Sequence, residues 1–465
     1  MAFSGALRLV DLDDFIGPST ECIKPVKVLE GSESASVVRI NGGESLPKAQ
    51  ITLNDCLACS GCITSAESVL ISKQSDEEMI RVFAANKSKP LDDPSRLVLI
   101  VSISPQSAAS LATRYDIAAA ETTTKLAGLF KHLGADHVFD LSLAIAMSLR
   151  ESARDFVDRA RRSREAAPLP MLASACPGWV CYAEKAHGSH ILPHIGTAKS
   201  PQQIMGSLVK HHFGRRFGKT PDQIYHVTVM PCYDKKLEAS RSDFYDDIYR
   251  TRDVDCVVTS LEIEKLIQDQ NIDMTRLSSV KPDFLTSNQH GESCYGSGSD
   301  GYLEFILHYA AKELYNCPAK ELSVKTLRNR DFKEVTVAVD NGDPVVPLKF
   351  AIAYGFRNIQ TLIQKIKRKR CDYQFVEVMA CPSACLNGGG QIRARENETS
   401  KDVLAKVETL YGSLGSESEK GKLEAALGEV YDVWLGGEDS ETARTLLHTR
   451  YHAIERTINP FTVKW

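Results

Sequence analysis

Long apolar runs are missing from this sequence. No stretch approaches the ~18 residues that suggest a membrane-spanning helix, so no membrane partner is expected. Strong net charge is missing too. Fifty-six Lys and Arg against 60 Asp and Glu leave a formal charge of −4 over 465 residues, which gives no electrostatic reason to expect nucleic acid or an anionic bilayer. There is no Walker A sequence and no G-x-G-x-x-G after a strand, so nucleotide binding has no support. The twelve histidines show no H-E-x-x-H or similar spacing. The start, Met1-Ala2-Phe3-Ser4-Gly5-Ala6-Leu7-Arg8, soon meets Asp11, Asp13 and Asp14. That is poor as a signal peptide and too acidic for a transit peptide. The expected location is the cytosol, with the nucleus open.

What is plentiful is cysteine. In a reducing compartment thirteen cysteines are expected as thiols or metal ligands rather than disulfides. Cys56, Cys59 and Cys62 form C-x2-C-x2-C, a spacing that lets one loop wrap three corners of a [4Fe–4S] cube. The bacterial ferredoxin run places a fourth cysteine three residues on. Here that position is Ala66, followed by Glu67. The fourth ligand is assigned to Cys22, the remaining cysteine of the N-terminal segment; a zinc site or plain reduced cysteines are the alternatives. Further on stand Cys176 in Ser174-Ala175-Cys176-Pro177-Gly178-Trp179 and Cys232 in Met230-Pro231-Cys232-Tyr233-Asp234-Lys235-Lys236-Leu237-Glu238. Cys381 and Cys385 form C-P-S-A-C and run into Asn387-Gly388-Gly389-Gly390. Each is weak alone, because free cysteine is commonly buried as a small hydrophobe. Together they suggest a second four-thiolate site, with the glycines letting backbone approach closely.

The organisation is α/β. Residues 1–90 read as a small cysteine-bearing unit ending in a polar, proline-containing linker. Residues 95–295 read as a first α/β lobe, 296–400 as a second, and 401–465 as a helical C-terminal wrap and tail. Continuous apolar runs such as Leu97-Val98-Leu99-Ile100-Val101 fit strands buried on both faces of a mainly parallel sheet. A helix is expected over Phe139–Phe156. Cys176, Cys232 and Cys381 each fall just past the end of an expected strand, where ligands of open α/β sheets collect. His211-His212 is expected as a surface pair, Cys256 as core, and Lys365–Arg370 as the solvated end of a helix.

These three cysteine segments resemble the cluster-binding signatures of [FeFe] hydrogenases, in which they read like TSCCPGW, MPCxxKKxE and MACPGGCxxGGGQ. With Cys22, the C-x2-C-x2-C start and Ser102-Ile103-Ser104-Pro105-Gln106-Ser107, the resemblance narrows to the eukaryotic hydrogenase-like cytosolic iron–sulfur assembly factors. It implies two [4Fe–4S] clusters. One would be held by Cys22, Cys56, Cys59 and Cys62, the other by Cys176, Cys232, Cys381 and Cys385 between two lobes. It also implies cluster relay from an early scaffold to a late cytosolic targeting complex. Hydrogenases carry a proton-relaying thiol just before the cysteine matching Cys176; here that residue is Ala175, so hydrogenase activity is not expected. Lys235 and Glu238 match. The end, Phe461-Thr462-Val463-Lys464-Trp465, resembles aromatic tails that dock on the targeting machinery through Trp465, with Lys464 departing in charge. An active hydrogenase and a prenylated-lamin-tail binder are the alternatives.

Overall fold

The structure is a computed structural model that describes residues 65–90, 92–162, 167–173, 175–286, 298–316, 322–339, 346–414 and 417–454. Cys22, Cys56, Cys59, Cys62 and the segment ending in Trp465 lie outside the described residues.

The strands in chain order are β1 (Val98–Ile103), β2 (His137–Asp140), β3 (Met171–Ala173), β4 (Ile224–Met230), β5 (Tyr245–Asp246), β6 (Thr251–Arg252), β7 (Cys256–Thr259), β8 (Leu322–Thr326), β9 (Phe332–Val339), β10 (Val346–Tyr354) and β11 (Phe375–Met379). They build two main sheets. The first runs β2-β1-β4-β7 and is parallel throughout. The second runs β3-β11-β10-β9-β8. It is parallel where β3, β11 and β10 meet and antiparallel across β9 and β8. β5 and β6 form a separate antiparallel hairpin.

The apolar runs become buried strands for the expected reason. Leu99–Ile103 of β1 and all of β7 and β11 are buried, with helices covering both faces. Cys256, at the start of β7, is 1% exposed and belongs to this core, as expected. Helix Ala119–Leu133 stops at Gly134, whose φ of +117° suits only glycine. Helix Ser260–Asp269 starts with a capping box between Thr259 and Glu262.

Three expectations need correction. Phe139 lies in β2, not in a helix; the helix is Ser142–Arg162, opened where Asp140 Oδ1 accepts the Ser142 N–H at 2.7 Å. The strand Met171–Ala173, read as part of the first lobe, pairs with β11 of the second sheet. The chain therefore crosses between the sheets before residue 295. Helix Ser142–Arg162, just before that strand, already packs on the second sheet, setting Phe156 edge-on to Phe350 (5.1 Å) and Phe375 (5.9 Å). His211 and His212 are half-buried rather than a surface pair, and His212 lies 5.6 Å from the Trp434 ring.

The C-terminal segment is helical up to Leu447 and closes over both halves. Helix Ser400–Ser413 lies on helix Pro105–Arg114, with Val407 and Tyr411 against Ala109 and Leu386. Helix Glu417–Val430 lies against Ser142–Arg162. Just beyond it, Tyr431 donates to Glu151 Oε1 at 2.5 Å.

Candidate metal centre between the sheets

Three parallel strands end at the same place. β3 leads to Cys176, β4 to Cys232 and β11 to Cys381 and Cys385. Cys176 is the N-cap residue of helix Pro177–Ala186, with proline at the first helical position, where a missing N–H costs nothing. Cys232 precedes the short helix Asp234–Ala239. Gly178 allows the two helix starts to meet. A Cβ there would stand 2.7 Å from Asp234 Oδ2, inside any normal contact.

The loop after β11 is bent sharply. Ser383 and Ala384 both take left-handed conformations, φ +56° and +57°, which cost an L-residue ~1–2 kcal/mol each. The turn is pinned from outside: the Ser383 N–H donates to Asp331 Oδ1 at 2.8 Å and Arg330 Nη2 donates to Ser383 Oγ at 2.5 Å. The glycines that follow press against β4. The Gly390 N–H donates to the Pro231 carbonyl at 2.9 Å, and the Gly390 carbonyl accepts from Leu261 N–H at 3.0 Å. A Cβ at Gly388 would stand 2.3 Å from the Pro231 oxygen, and one at Gly390 3.2 Å from Cys232 Cα. Only glycine permits this closeness.

All four thiols fall within electrostatic reach of one another. Cys232 feels Cys381 and Cys176; Cys381 feels Cys176 and Cys385; Cys385 feels Cys232 and Cys176. Cys176 and Cys232 are buried, and Cys381 and Cys385 partly so. Burial first, then nearby acids and thiols, raises Cys176 above the usual thiol range and the other three well above it. A thiol group so placed holds its protons unless a bound cation replaces them. Cys176 Sγ accepts the Ala380 N–H at 3.4 Å, a donor suited to thiolate charge. The donor set fits an iron–sulfur cluster on this ground: four convergent sulfurs, two of them buried and two partly so, and a backbone N–H donor.

Around the thiols lies a polar shell. Burial opposes the Lys235 charge, but the Glu238 carboxylate, 3.0 Å away, and the thiols of Cys232 and Cys385 outweigh it, raising its pKa. Glu238 Oε2 also accepts from Ser200 Oγ and Gln202 Nε2, each at 3.0 Å. Gln106, in the Ser102–Ser107 segment, donates to Asp300 Oδ1 at 2.5 Å, and Gln391 Nε2 reaches the carbonyls of Gln106 (3.0 Å) and Cys385 (3.2 Å). Burial pushes Asp300 up to about 6 and Glu377 up to about 7. Neither carboxyl was singled out from sequence. Glu377 carried a signal, a lone charge inside the apolar run Phe375-Val376-Glu377-Val378-Met379; Asp300, in a Gly/Ser-rich break, carried none. Cys181 is partly exposed and lies near Asp234 and Glu184, outside the four-thiol group.

With this geometry in hand, relatives can be placed. Residues 98–389 match the family described as "Iron only hydrogenase large subunit, C-terminal domain". Over its whole length the chain is 51% identical to the "Cytosolic Fe-S cluster assembly factor narfl" of Xenopus tropicalis, covering 99% of that protein. It is 52% identical to the "Cytosolic iron-sulfur assembly component 3" of Mus musculus, again covering 99%. The chain belongs to the hydrogenase-like family of cytosolic Fe–S cluster assembly factors. Apo [FeFe]-hydrogenase HydA1 from Chlamydomonas reinhardtii shares the fold: 28% identity and a TM-score of 0.70, over 81% of this chain and 99% of that one. Within this hydrogenase-like family the present chain has Ala175, 6% exposed, immediately before the first thiol.

Proposed function

We propose that the chain serves cytosolic iron–sulfur protein assembly, holding one [4Fe–4S] cluster on Cys176, Cys232, Cys381 and Cys385 and a second on Cys22, Cys56, Cys59 and Cys62. The observation that carries this reading is the convergence of four thiols from three strand ends across two sheets. Among the described residues no three His, Cys, Asp or Glu side chains are placed to hold a single metal ion. Four thiolates match the ligand count of a [4Fe–4S] cube, which takes one per iron.

The residues divide the work. The interlobe site is clamped by Gly388, Gly390 and the Pro231 carbonyl, so its cluster is structural, and ligation stabilises the fold. The array at Cys56, Cys59 and Cys62, which lies outside the described residues, is the candidate for passing a cluster from an early scaffold to the late targeting complex and its apoproteins. Trp465 is the proposed docking residue for that complex. The chain works in the cytosol and in the nucleus. It is not a hydrogenase in this reading, because Ala175 has no proton to relay. The curated relatives, at about half identity, bear assembly-factor names, which supports the same role.

The test is anaerobic purification with iron and sulfide counting and Mössbauer spectra. About eight irons in two cubane signals are expected. Additional low-spin di-iron together with hydrogen evolution would return the chain to the hydrogenases, and one zinc with no sulfide would end the cluster reading.

A further inference from the structure

Helix Phe356–Lys367, which packs on β10, ends in a cationic corner that the metal centre does not use. Lys367, Arg368, Lys369 and Arg370 are consecutive, and all four are exposed. The corner is rigid. The Lys369 N–H donates to the Ile366 carbonyl and the Arg370 N–H to the Lys365 carbonyl, both at 2.9 Å, the paired bonds of a Schellman cap. Lys369 takes the left-handed position of that cap at φ +54°, where glycine is the ordinary residue and a side chain is strained.

Nearby acids do not cancel this charge, because they are engaged elsewhere. Asp372 pairs with Lys349 Nζ at 2.7 Å, Glu184 pairs with the Arg241 guanidinium at 2.8 Å, and Glu334 hydrogen-bonds the Tyr373 side chain. Lys365 turns inward, with its Nζ 3.1 Å from the Tyr373 hydroxyl and 5.7 Å over the Phe332 ring. Lys367 Nζ meets a histidine, His187 Nδ1 at 3.3 Å. Among the described residues none of the four exposed cations makes an ion pair with a carboxylate.

The last described residues run beside the same corner. The Ile454 N–H donates to the Glu184 carbonyl at 3.2 Å, and a Cβ at Gly188 would stand 3.4 Å from the Ala453 Cβ. His187, between those two positions, is the residue that Lys367 touches. Trp465 lies eleven residues beyond Ile454, at most about 40 Å of extended chain away. A partner that holds Trp465 is therefore tethered within reach of the corner.

Four unpaired cations on a rigid turn select an anionic partner. A lipid surface is disfavoured, because stable anchoring takes a second signal and no large hydrophobic side chain is exposed between Phe356 and Tyr373. Nucleic acid is disfavoured, because the chain as a whole is negative and one helix end supplies no basic stripe along a face. A groove that reads extended basic peptides is disfavoured by the cap, which holds the run folded.

We propose that Lys367, Arg368, Lys369 and Arg370 dock an acidic face of a folded protein, the same partner that takes Trp465. Resting on the function proposed above, that partner is the late targeting complex, gripped at two points. The tethered aromatic residue raises the partner's local concentration at the corner, and the fixed charges set its orientation.

The test uses the full, cluster-loaded chain and purified late targeting complex, with affinity measured by calorimetry. The double variant Arg368→Glu, Arg370→Glu reverses the corner and leaves Lys369 and the Lys367–His187 contact alone. It is expected to weaken binding about tenfold or more at about 0.05 M salt, with the gap narrowing as salt rises to about 0.5 M. Iron content and melting temperature should stay native, and Arg368→Lys, Arg370→Lys should bind like the native chain. Native-level binding by the reversed variant overturns the corner and leaves the assembly role standing. No binding by the loaded native chain overturns this proposal together with its parent reading. A fall in melting temperature or iron content in the reversed variant would show that these cations serve the chain's own fold, and would overturn the docking surface. Binding of the native chain to phosphatidylserine vesicles or to duplex DNA that is lost in the reversed variant would assign the corner to lipid or nucleic acid and overturn the acidic protein face.

Discussion

Cys176 Sγ accepts the main-chain N–H of Ala380 at 3.4 Å. The bond joins the loop after β3 to the loop after β11, two strands that are neighbours in the sheet yet about two hundred residues apart in sequence. It places the first thiol of the site beside the third before any metal is considered. The other half of the frame is the Gly390 contact with Pro231, which brings in β4 from the other sheet. The site is thus framed by main chain, and its tolerance to substitution follows from main-chain clearances.

Three adjacent glycines give a graded prediction. Gly388 and Gly390 touch backbone and Thr259, whereas a Cβ at Gly389 meets nothing within 4 Å. Alanine at 388 or 390 must push β4 and the Cys385 loop apart, at a cost of about 1–3 kcal/mol or more. We expect Gly388→Ala and Gly390→Ala to lose the irons of the interlobe site after anaerobic reconstitution and to melt earlier. Gly389→Ala should match the native chain in both measurements.

The left-handed pair Ser383 and Ala384 stands where the hydrogenase pattern carries two glycines. Ser383 is compensated by Asp331 and Arg330; among the described residues Ala384 is held by its own N–H to the Cys381 carbonyl at 3.2 Å. Replacing Ala384 by glycine relieves the steric cost but adds unfolded-state entropy and removes a buried methyl. The expected balance is a gain of about 0.5 kcal/mol, seen as a small rise in denaturation midpoint with iron content unchanged. A clear loss of stability would show that the methyl matters more than the strain.

Much of this was legible in the sequence. The strand ends before Cys176, Cys232 and Cys381 are marked by short, largely apolar runs, and the glycine triplet by its composition. What escaped notice depends on long-range pairing. Nothing local in Met171–Ala173 tells which sheet it joins; that is decided by its ladder with β11. β8 alternates only briefly, Leu322-Ser323-Val324-Lys325, and all five of its residues are exposed, so no buried face marks it. Asp300 is buried against partners remote in sequence, Gln106 nearly two hundred residues earlier and Tyr411 more than a hundred later.

Buried Glu377 makes a pH prediction. Burial raises its pKa to about 7, against the Ser299 hydroxyl, the Leu303 N–H at 2.8 Å and the Tyr354 hydroxyl at 2.9 Å. Unfolded, a glutamate titrates near ~4.3. Between those values the native state binds more protons than the unfolded state. This group's contribution is therefore full below about 4.3, is lost as pH rises to about 7, and is constant above. The loss is at most on the order of 4 kcal/mol. In denaturation series from pH 5 to 8, Glu377→Gln should show a shallower fall in stability than the native chain. Parallel slopes would mean the carboxyl is already ionised at pH 5.

Cys232 and Cys256 separate ligand from filler, because both are buried thiols with raised pKa values and their surroundings differ. Burial first, then Asp234, Cys381 and Cys176, raises the Cys232 pKa. Around Cys256 burial again leads, the nearest thiol-directed contacts are Tyr225 and the Ser75 carbonyl at 3.7 Å, and no other cysteine is among the influences. Cys256→Ala removes one small buried atom from a strand core and should cost about 1–2 kcal/mol, as a modest truncation does, while iron and sulfide counts stay at native levels. Cys232→Ala removes a proposed ligand and should empty the interlobe site: one of the two cubane signals disappears from the Mössbauer spectrum and the melting temperature falls further than for Cys256→Ala, because ligation energy is folding energy. If Cys256→Ala lost iron and Cys232→Ala did not, the four-thiol assignment would be wrong even with the fold intact.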